Sequence, residues 1–303
     1  MSYSRKVYVK AASALERRRS KAERTQSMHR EEAYAKIPEL ISIDREISSA
    51  GAEVIRAIGM GENAQRFIEE LSKKNLAAQQ RRKDILKENG YPENYLDADY
   101  TCKKCRDTGF VSGVMCDCYK ELLRDTALAE LNELSPSTCS TFESFNVNYY
   151  PDTSDPVTGV NPRSRMKEIL DFCKDYAADF GTDSPSLLLY GATGLGKTHL
   201  SLAIASEAIR KGYGVIYGSA QNLMSRLEKE HFSSGRDNEY EGSEQAILEC
   251  DLLVIDDLGA EFSTQFTVAE LYNIINTRIM SRLPVIILSL IHISEPTRPE
   301  PIS

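Results

Sequence analysis

The first ninety residues repeat apolar positions at helical spacing. In residues 13–58 the apolar positions advance in steps of three and four, the spacing of one helix face: Leu40, Ile43, Ile47, Ala50, Val54 and Ala57. A second helix is predicted over 64–88, with Ile68 and Leu71 on its packed face, and the turn residues 89–92 end it. Such a pair is typical of a docking element or of a bundle that packs on its own chain, and the pattern does not separate the two.

The second half of the chain alternates short apolar runs with helical segments. Strands are predicted at 187–190, 215–217, 252–255 and 285–287, and helices over about 166–180, 197–210 and 264–282. Short buried strands alternating with helices indicate an α/β fold with a parallel sheet. The connector 136–163 is rich in Ser, Thr, Asn and Pro, and we expect its aromatic residues to anchor it to a core: Phe142, Phe145, Tyr149 and Tyr150.

Composition and charge exclude several classes of protein. The 303 residues are 41% hydrophobic, and no apolar run approaches the roughly 20 residues that a membrane helix needs. No hydrophobic segment follows the basic N-terminus, so no secretory signal is visible, and we expect a cytoplasmic protein with no membrane partner. Residues 1–90 carry 19 Lys and Arg against 13 Asp and Glu, whereas the remainder carries 18 against 32. The acidic remainder argues against a protein that coats DNA non-specifically, and the basic part is either a solvated helical face or a partner surface.

Four of the seven cysteines are clustered with the spacing C-x2-C-x10-C-x-C, namely Cys102, Cys105, Cys116 and Cys118. Gly109 and Gly113 suit a hairpin that brings the two pairs together. Because thiols stay reduced inside cells, such a cluster indicates metal ligands before it indicates disulfides. We expect a structural Zn²⁺ held by all four thiolates; a redox dithiol and coincidence are the alternatives.

The strongest local signal is the GxxxxGK[ST] motif that stands between a predicted strand and a predicted helix. We expect backbone N–H groups of its loop to face the phosphates of ATP at a helix N-terminus, where anions are favoured. Lys197 is expected to reach the β- and γ-phosphates, and the Thr198 hydroxyl to coordinate Mg²⁺. The predicted nucleotide-binding residues of the motif are Gly191, Ala192, Thr193, Gly194, Leu195, Gly196, Lys197 and Thr198.

A second motif ends the apolar run 252–255 in two carboxylates. Asp256 is expected to hold Mg²⁺, usually through water, and Asp257 to orient or deprotonate the attacking water, which makes Asp257 and Lys197 the predicted catalytic residues. Glu261 is a weaker candidate for the base. The alternative for both Asp257 and Glu261 is a carboxylate at a helix start that interacts with the helix dipole.

Together these motifs resemble a known family. Residues from about 139 to 287 resemble the AAA+ ATPase domain of bacterial and phage replicative helicase loaders of the DnaC/DnaI type, and of the related IstB transposition helpers, through the runs LLLYGATGLGKTHLSLAIA, GYGVIYGSAQNLM and LLVIDDLGAE. The cysteine-rich segment is similar to the zinc-binding part of the loader group. The resemblance implies a docking region (1–95), a zinc module (96–135), a linker (136–163) and an AAA+ core with a parallel sheet (164–287).

The implied activity is ATP-dependent loading of the replicative helicase onto single-stranded DNA during replication initiation, with hydrolysis of ATP to ADP and phosphate. The implied partners are a helicase hexamer, single-stranded DNA and further copies of the ATPase domain, since an arginine finger acts in trans in related chemistry. Arg226 and Lys229 are only plausible surface cations for the DNA. Two alternatives stay open: an IstB-like transposition helper acting on double-stranded DNA, and a nucleotide-binding adaptor without significant hydrolysis.

The end of the chain departs from the family. Residues 288–303 begin with LSLIHISEPTRP, which looks like a translated sequencing-library adapter, and we expect a non-native tail rather than a genuine disordered one. The family's sensor Asn and arginine finger then have no counterpart, and Arg278 and Arg282 are expected to be structural or surface residues. An incomplete sheet would leave 187–190 as an apolar edge. We therefore expect weak ATP binding, poor hydrolysis and low solubility.

Overall fold

A computed structural model of the chain describes residues 3–57, 64–133, 140–232, 242–259 and 264–289. Contacts divide it into two compact units: residues 13–116 form one, and 1–12 with 117–303 form the other. Residues 96–116 thus belong to the same unit as the helices before them. Within the described ranges, no helix combines the length and apolar character needed to cross a bilayer.

Three helices make up most of the 13–116 unit. They are α1 (Arg5–Lys36, whose first residues belong to the other unit), α2 (Glu39–Ala57) and α3 (Ala64–Glu88). The segment 13–58 is helical through Ala57, as predicted, but belongs to two helices, because Pro38 has no N–H group to continue the hydrogen bonding of α1 and stands where α2 begins.

The helices of this unit pack on their own chain. Helices α2 and α3 contact each other, and a small core joins Ala33, Ile37, Leu40, Leu86 and Leu96. From the predicted α2 face, Leu40, Ile43 and Ala50 are buried, as expected, but Val54 is exposed. On α3, Leu71 is half-buried and Ile68 is exposed, so the prediction that Ile68 lies on the packed face is wrong.

The predicted cysteine-rich hairpin is present. Strands β1 (Phe110–Val111) and β2 (Val114–Met115) pair antiparallel. Ser112 and Gly113 between them both have positive φ, of 50° and 81°, as a two-residue hairpin turn requires. Helix α4 (Asp117–Glu133) follows directly.

The other unit contains the predicted parallel sheet. Its strands β3 (Leu187–Tyr190), β4 (Val215–Ser219), β5 (Leu252–Leu258) and β6 (Val285–Ser289) are ordered β3-β6-β5-β4, and every pair is parallel. The helices of this unit are α5 (Pro162–Ala178), α6 (Lys197–Arg210), α7 (Ala220–Phe232), α8 (Ser243–Glu249) and α9 (Gln265–Met280). The α/β fold with a parallel sheet is therefore confirmed.

Strand β3 lies at an edge of the described sheet, as expected. Leu188 is 47% exposed and Tyr190 is 62% exposed on this edge strand. Leu288 and Ser289 continue β6 and pair with Leu189 and Tyr190. The prediction of a non-native tail otherwise falls on residues 290–303, which lie outside the described residues.

Arg278 on α9 is structural, as expected, because its side chain is completely buried. Its Nη1 donates to the carbonyl oxygens of Ile247 (2.9 Å) and Leu248 (3.1 Å), and its Nη2 donates to that of Pro284 (2.9 Å). Burial lowers the pKa of the guanidinium. The residue thus ties the end of α8 to the start of β6, whereas Arg282 is exposed.

We expect Arg278→Lys to destabilise this unit by about 3 kcal/mol, because one ammonium cannot serve the three carbonyl oxygens at once and a buried acceptor left unsatisfied is costly. The measurement is urea-induced unfolding followed by circular dichroism. Arg210→Lys on α6 is the matched control, since Arg210 is exposed, and it should change stability by less than about 0.5 kcal/mol. Equal stability of the two variants would contradict the structural role.

Candidate functional site

The loop between β3 and α6 is shaped for close approach to an anion. Gly191, Gly194 and Gly196 have φ values of 137°, 79° and 76°, a region that residues with a Cβ rarely adopt. Gly196 is the N-cap of α6 and supplies no side-chain cap. The first N–H groups of α6 therefore begin the helix without a side-chain acceptor on the cap, next to an exposed loop, which is the usual setting for a bound phosphate.

Lys197 curls back over this loop. Its Nζ donates to the carbonyl oxygens of Gly191 (2.9 Å) and Ala192 (2.8 Å). Thr198, one position further on, is exposed. The ammonium group thus lies against the loop that would hold a phosphate, and Thr198 lies in the first turn of α6.

The connector packs directly on this loop. The Tyr150 hydroxyl donates to the carbonyl oxygen of Leu195 at 3.1 Å. A Cβ built on Gly196 would lie 2.6 Å from Cε2 of Phe145 and 3.0 Å from the Tyr150 hydroxyl oxygen. Phe142 is buried as well. The expectation that connector aromatics anchor it is therefore confirmed for these residues but wrong for Tyr149, which is 86% exposed.

His199, which the sequence reasoning missed, completes that attachment. Its Nε2 donates to the carbonyl oxygen of Thr141 at 2.8 Å and lies 3.1 Å from Oγ of Ser144. The ring of Phe145 packs edge-on against the imidazole, with centroids 5.2 Å apart. The only sequence signal for this role is its place directly after the GxxxxGK[ST] motif.

Two hydrogen-bond donors hold the Asp256 carboxylate at the carboxyl edge of the sheet. It is buried near the end of β5, where Oδ1 accepts from the Asp257 N–H at 2.8 Å and Oδ2 accepts from the Tyr217 hydroxyl. Burial, and then the Asp256 carboxylate, raise the pKa of Tyr217. Tyr217 therefore stays protonated and orients the carboxylate. Sequence reasoning missed this residue because nothing local links β4 to β5.

The side chain of Asp257 is exposed, unlike that of Asp256. The β5–β6 register shifts between Ile255 and Leu258, and Asp257 in this irregularity has a φ of 53° and an exposed side chain. Burial, and then the charge of Asp256, raise the pKa of Asp257, while Lys197 opposes them. The helix-start interpretation of Asp257 is wrong, because the residue lies within β5. Glu261 lies outside the described residues.

The two motifs meet at one edge of the sheet. Tyr190 of β3 and Leu258 of β5 both pair with Ser289 of β6. Since the carboxyl ends of parallel strands share an edge, the loop after β3 and the carboxylates of β5 face the same side. The electrostatic effect of Lys197 on Asp257 agrees with this placement.

The four clustered cysteines converge in the structure. The Sγ atoms all lie within 4.8 Å of one another in Cys102, Cys105, Cys116 and Cys118. None of these four cysteines forms a disulfide, and the Sγ atoms of Cys102 and Cys116 are 3.9 Å apart. Four thiolates around one Zn²⁺ at about 2.3 Å would stand about 3.8 Å apart. The donor set thus fits zinc.

An acidic side chain orders the first cysteine turn. The buried Asp107 carboxylate accepts from the N–H groups of Thr101 (2.9 Å) and Cys102 (2.8 Å). Asp107 itself has a φ of 56°. These bonds fix the backbone on which Cys102 and Cys105 stand, as partners beyond the ligands do in metal sites.

Part of this chain is similar to known proteins. The IstB-like ATP binding protein family matches residues 172–295. The chromosomal replication initiator protein DnaA of Aquifex aeolicus is 32% identical over 116 residues, 38% of this chain and 28% of that protein. The replicative helicase loader DnaC of Escherichia coli K12 is 27% identical over 129 residues, 41% of this chain and 50% of that protein. The chain thus spans half or less of these relatives' length.

Solved structures with some likeness come from the same two groups. AMPPCP-bound DnaA from Aquifex aeolicus is 25% identical with a TM-score of 0.40, covering 52% of this chain and 44% of that one. The crystal structure of the DnaC helicase loader is 22% identical with a TM-score of 0.39, covering 52% of this chain and 82% of that one.

We expect Gly196→Ala to weaken ATP binding at least tenfold. A left-handed residue with a Cβ costs about 1–2 kcal/mol, and the new methyl group would also push Phe145 off the loop. Titration with a fluorescent ATP analogue measures the effect. Gly159→Ala is the matched control, because Gly159 has a similar φ of 69° and a Cβ added there would meet nothing within 4 Å. Unchanged affinity in Gly196→Ala would contradict the importance of the close approach.

Proposed function

We propose that this chain, whose residues 172–295 match the IstB-like ATP binding protein family, loads a replicative DNA helicase onto single-stranded DNA. The observation that carries the proposal is an ATPase domain with a P-loop and paired aspartates in a chain that also contains a separate compact helical unit. The similarity to DnaC, a replicative helicase loader, supports this choice. ATP binding and hydrolysis would control the grip on helicase and DNA.

In this proposal, the loop between β3 and α6 supplies the contacts to the nucleotide. Backbone N–H groups at the start of α6 bind phosphate oxygens, and Lys197 exchanges the carbonyl oxygens of Gly191 and Ala192 for the β- and γ-phosphates. Thr198 and Asp256 would hold Mg²⁺, which neutralises phosphate charge. Tyr217 keeps the Asp256 carboxylate aimed at that position through its hydrogen bond.

Asp257 is the base in this proposal. Its side chain is exposed on the same edge as Lys197, and in its ionised form it can accept a proton from the attacking water. Because its pKa is raised, the base form is lost on acidification at a higher pH than for an ordinary Asp, whose pKa is about 3.9.

We therefore expect ATP turnover to fall on acidification with an apparent pKa above that of a free Asp, and Asp257→Asn to reduce turnover about 10²-fold or more. Initial rates measured across pH with saturating Mg²⁺ check both points. Glu261→Gln is the matched control, since Glu261 is the rival base. If Glu261→Gln loses activity and Asp257→Asn keeps it, the assignment of the base is reversed.

The four cysteines form a structural zinc site in this proposal. We expect one zinc ion per chain to survive gel filtration, and Cys105→Ser to lose it and lower the melting temperature. Metal analysis and thermal denaturation measure these effects. Cys173→Ala is the control, because this buried cysteine lies outside the cluster and its removal should leave the zinc content unchanged. A metal-free chain whose cysteines cycle between thiol and disulfide would favour the redox alternative.

The helicase is expected to dock on the 13–116 unit, which exposes large apolar side chains such as Met28 and Leu76. Leu76 on α3 is a candidate contact because it is a large aliphatic residue that is 62% exposed. Self-association through the ATPase domain is also part of this proposal, because related ATPases act as assemblies in which neighbouring copies contact the nucleotide.

The test is size-exclusion chromatography with light scattering of the full chain and the hexameric replicative helicase of the same host, with ATP. We expect co-elution, weakened several-fold by Leu76→Ser. Val157→Ser is the control, because Val157 is also an exposed aliphatic residue but lies outside that unit. Absence of co-elution with the folded, zinc-loaded chain at micromolar concentration would overturn the loader function.

The second candidate is a transposition helper. It is favoured by the description of the matching family as IstB-like ATP binding proteins. ATP-dependent binding to double-stranded DNA together with a transposase, in the absence of helicase binding, would support it instead.

A further inference from the structure

Three side chains with metal-binding atoms converge on helices α7, α8 and α9. His231 lies near the end of α7, Glu244 in the first turn of α8 and Glu270 in α9. One ring nitrogen and one oxygen from each carboxylate lie within 4.8 Å of one another. Nε2 of His231 is 3.7 Å from Oε2 of Glu244.

Neighbouring contacts hold the three positions. The Glu230 carboxylate on α7 accepts from the N–H groups of Gly242 (2.6 Å) and Glu244 (2.9 Å), so it caps α8 and fixes Glu244 against α7. Phe266 of α9 packs edge-on against the His231 ring, with centroids 5.7 Å apart. The three helices contact one another and share a buried core.

Glu270 supplies the observation that points to a ligand. Its Oε2 atom is buried and has no hydrogen-bond partner among the described residues. A buried carboxylate oxygen left without a partner is costly. A second carboxylate, that of Glu244, lies within 4.8 Å, and one imidazole, which can carry at most one positive charge, cannot balance two negative charges. A divalent cation would neutralise both carboxylates.

We propose that His231, Glu244 and Glu270 bind a divalent transition-metal ion. One imidazole nitrogen and two carboxylate oxygens suit Zn²⁺, Mn²⁺ or Co²⁺, whereas Ca²⁺ and Mg²⁺ prefer oxygen ligands alone. Metal ligands at about 2.0–2.2 Å stand roughly 3.0–3.5 Å apart, so the half-exposed imidazole and the carboxylates draw together by about 1 Å. The ion links α9, which follows β5, to α7, which follows β4, and leaves coordination positions for water.

The test uses the full chain with zinc in its cysteine site and no nucleotide, titrated with Co²⁺. We expect calorimetry to give one added ion per chain, with visible absorption typical of nitrogen and oxygen ligands. Sulfur-to-cobalt charge-transfer absorption in place of that spectrum would mean exchange at the cysteines and would overturn the proposal. So would the absence of any bound Co²⁺.

Variants identify the site. We expect His231→Ala and Glu270→Gln to weaken Co²⁺ binding at least tenfold, while both still bind a fluorescent ATP analogue, which shows that they are folded. Glu228→Gln is the matched control, because Glu228 is an exposed carboxylate on the same helix as His231, and its affinity should not change. Asp256→Asn should also retain binding. Loss of Co²⁺ in Asp256→Asn, or unchanged binding in the first two variants, would place the ion elsewhere.

Discussion

The parallel pairing of β5 is the constraint on which the rest of the site depends. Residues Leu252–Ile255 are completely buried and pair with β4 on one side and β6 on the other. Because side chains alternate along a strand, a slip of one residue would turn every buried side chain to the opposite face. The register therefore also fixes Asp256, which lies at the carboxyl edge opposite Ser219. The same edge receives the loop after β3, since β6 pairs with both β3 and β5.

The irregularity after Ile255 lets two adjacent carboxylates serve different tasks. In a regular strand Asp256 and Asp257 would alternate across the sheet. Instead the register shift and the left-handed backbone of Asp257 turn its side chain into solvent, while Asp256 stays buried on the Tyr217 hydroxyl. A non-glycine residue in that region costs about 1–3 kcal/mol and persists only where its surroundings determine it. The buried part of β5 supplies these surroundings, so the fold tolerates the left-handed backbone of Asp257.

Local signals explain which parts could be predicted from sequence. Strand β3 and helix α6 have the bounds predicted, because an apolar run meets Gly191 at one end and the motif begins the helix at Lys197. Strands β4, β5 and β6 extend beyond the predicted ends, since sheet pairing continues through polar residues once the neighbouring strand is present. Pro38 is a local signal for the break between α1 and α2, and the apolar positions at helical spacing that begin at Leu40 all lie in α2.

Contacts between distant segments could not be predicted. Tyr150 and Leu195 are 45 positions apart, and Tyr217 and Asp256 are 39 apart, so no periodicity relates them. Glu270 presents the same difficulty: on α9 it resembles any surface carboxylate, and only the approach of α7 and α8 gives it a histidine and a second carboxylate. Pairs of this kind depend on tertiary packing, which a single sequence does not display.

The connector 136–163 holds the loop between β3 and α6 in place. Tyr150 donates to the carbonyl oxygen of Leu195 before Lys197, and His199 donates to that of Thr141 after it. The loop is therefore held on both sides of its lysine by the same short segment. A loop with fewer accessible conformations loses less entropy when it binds a ligand, so these bonds favour phosphate binding without touching it. The close packing of Phe145 that accompanies them explains why position 196 has no room for a side chain.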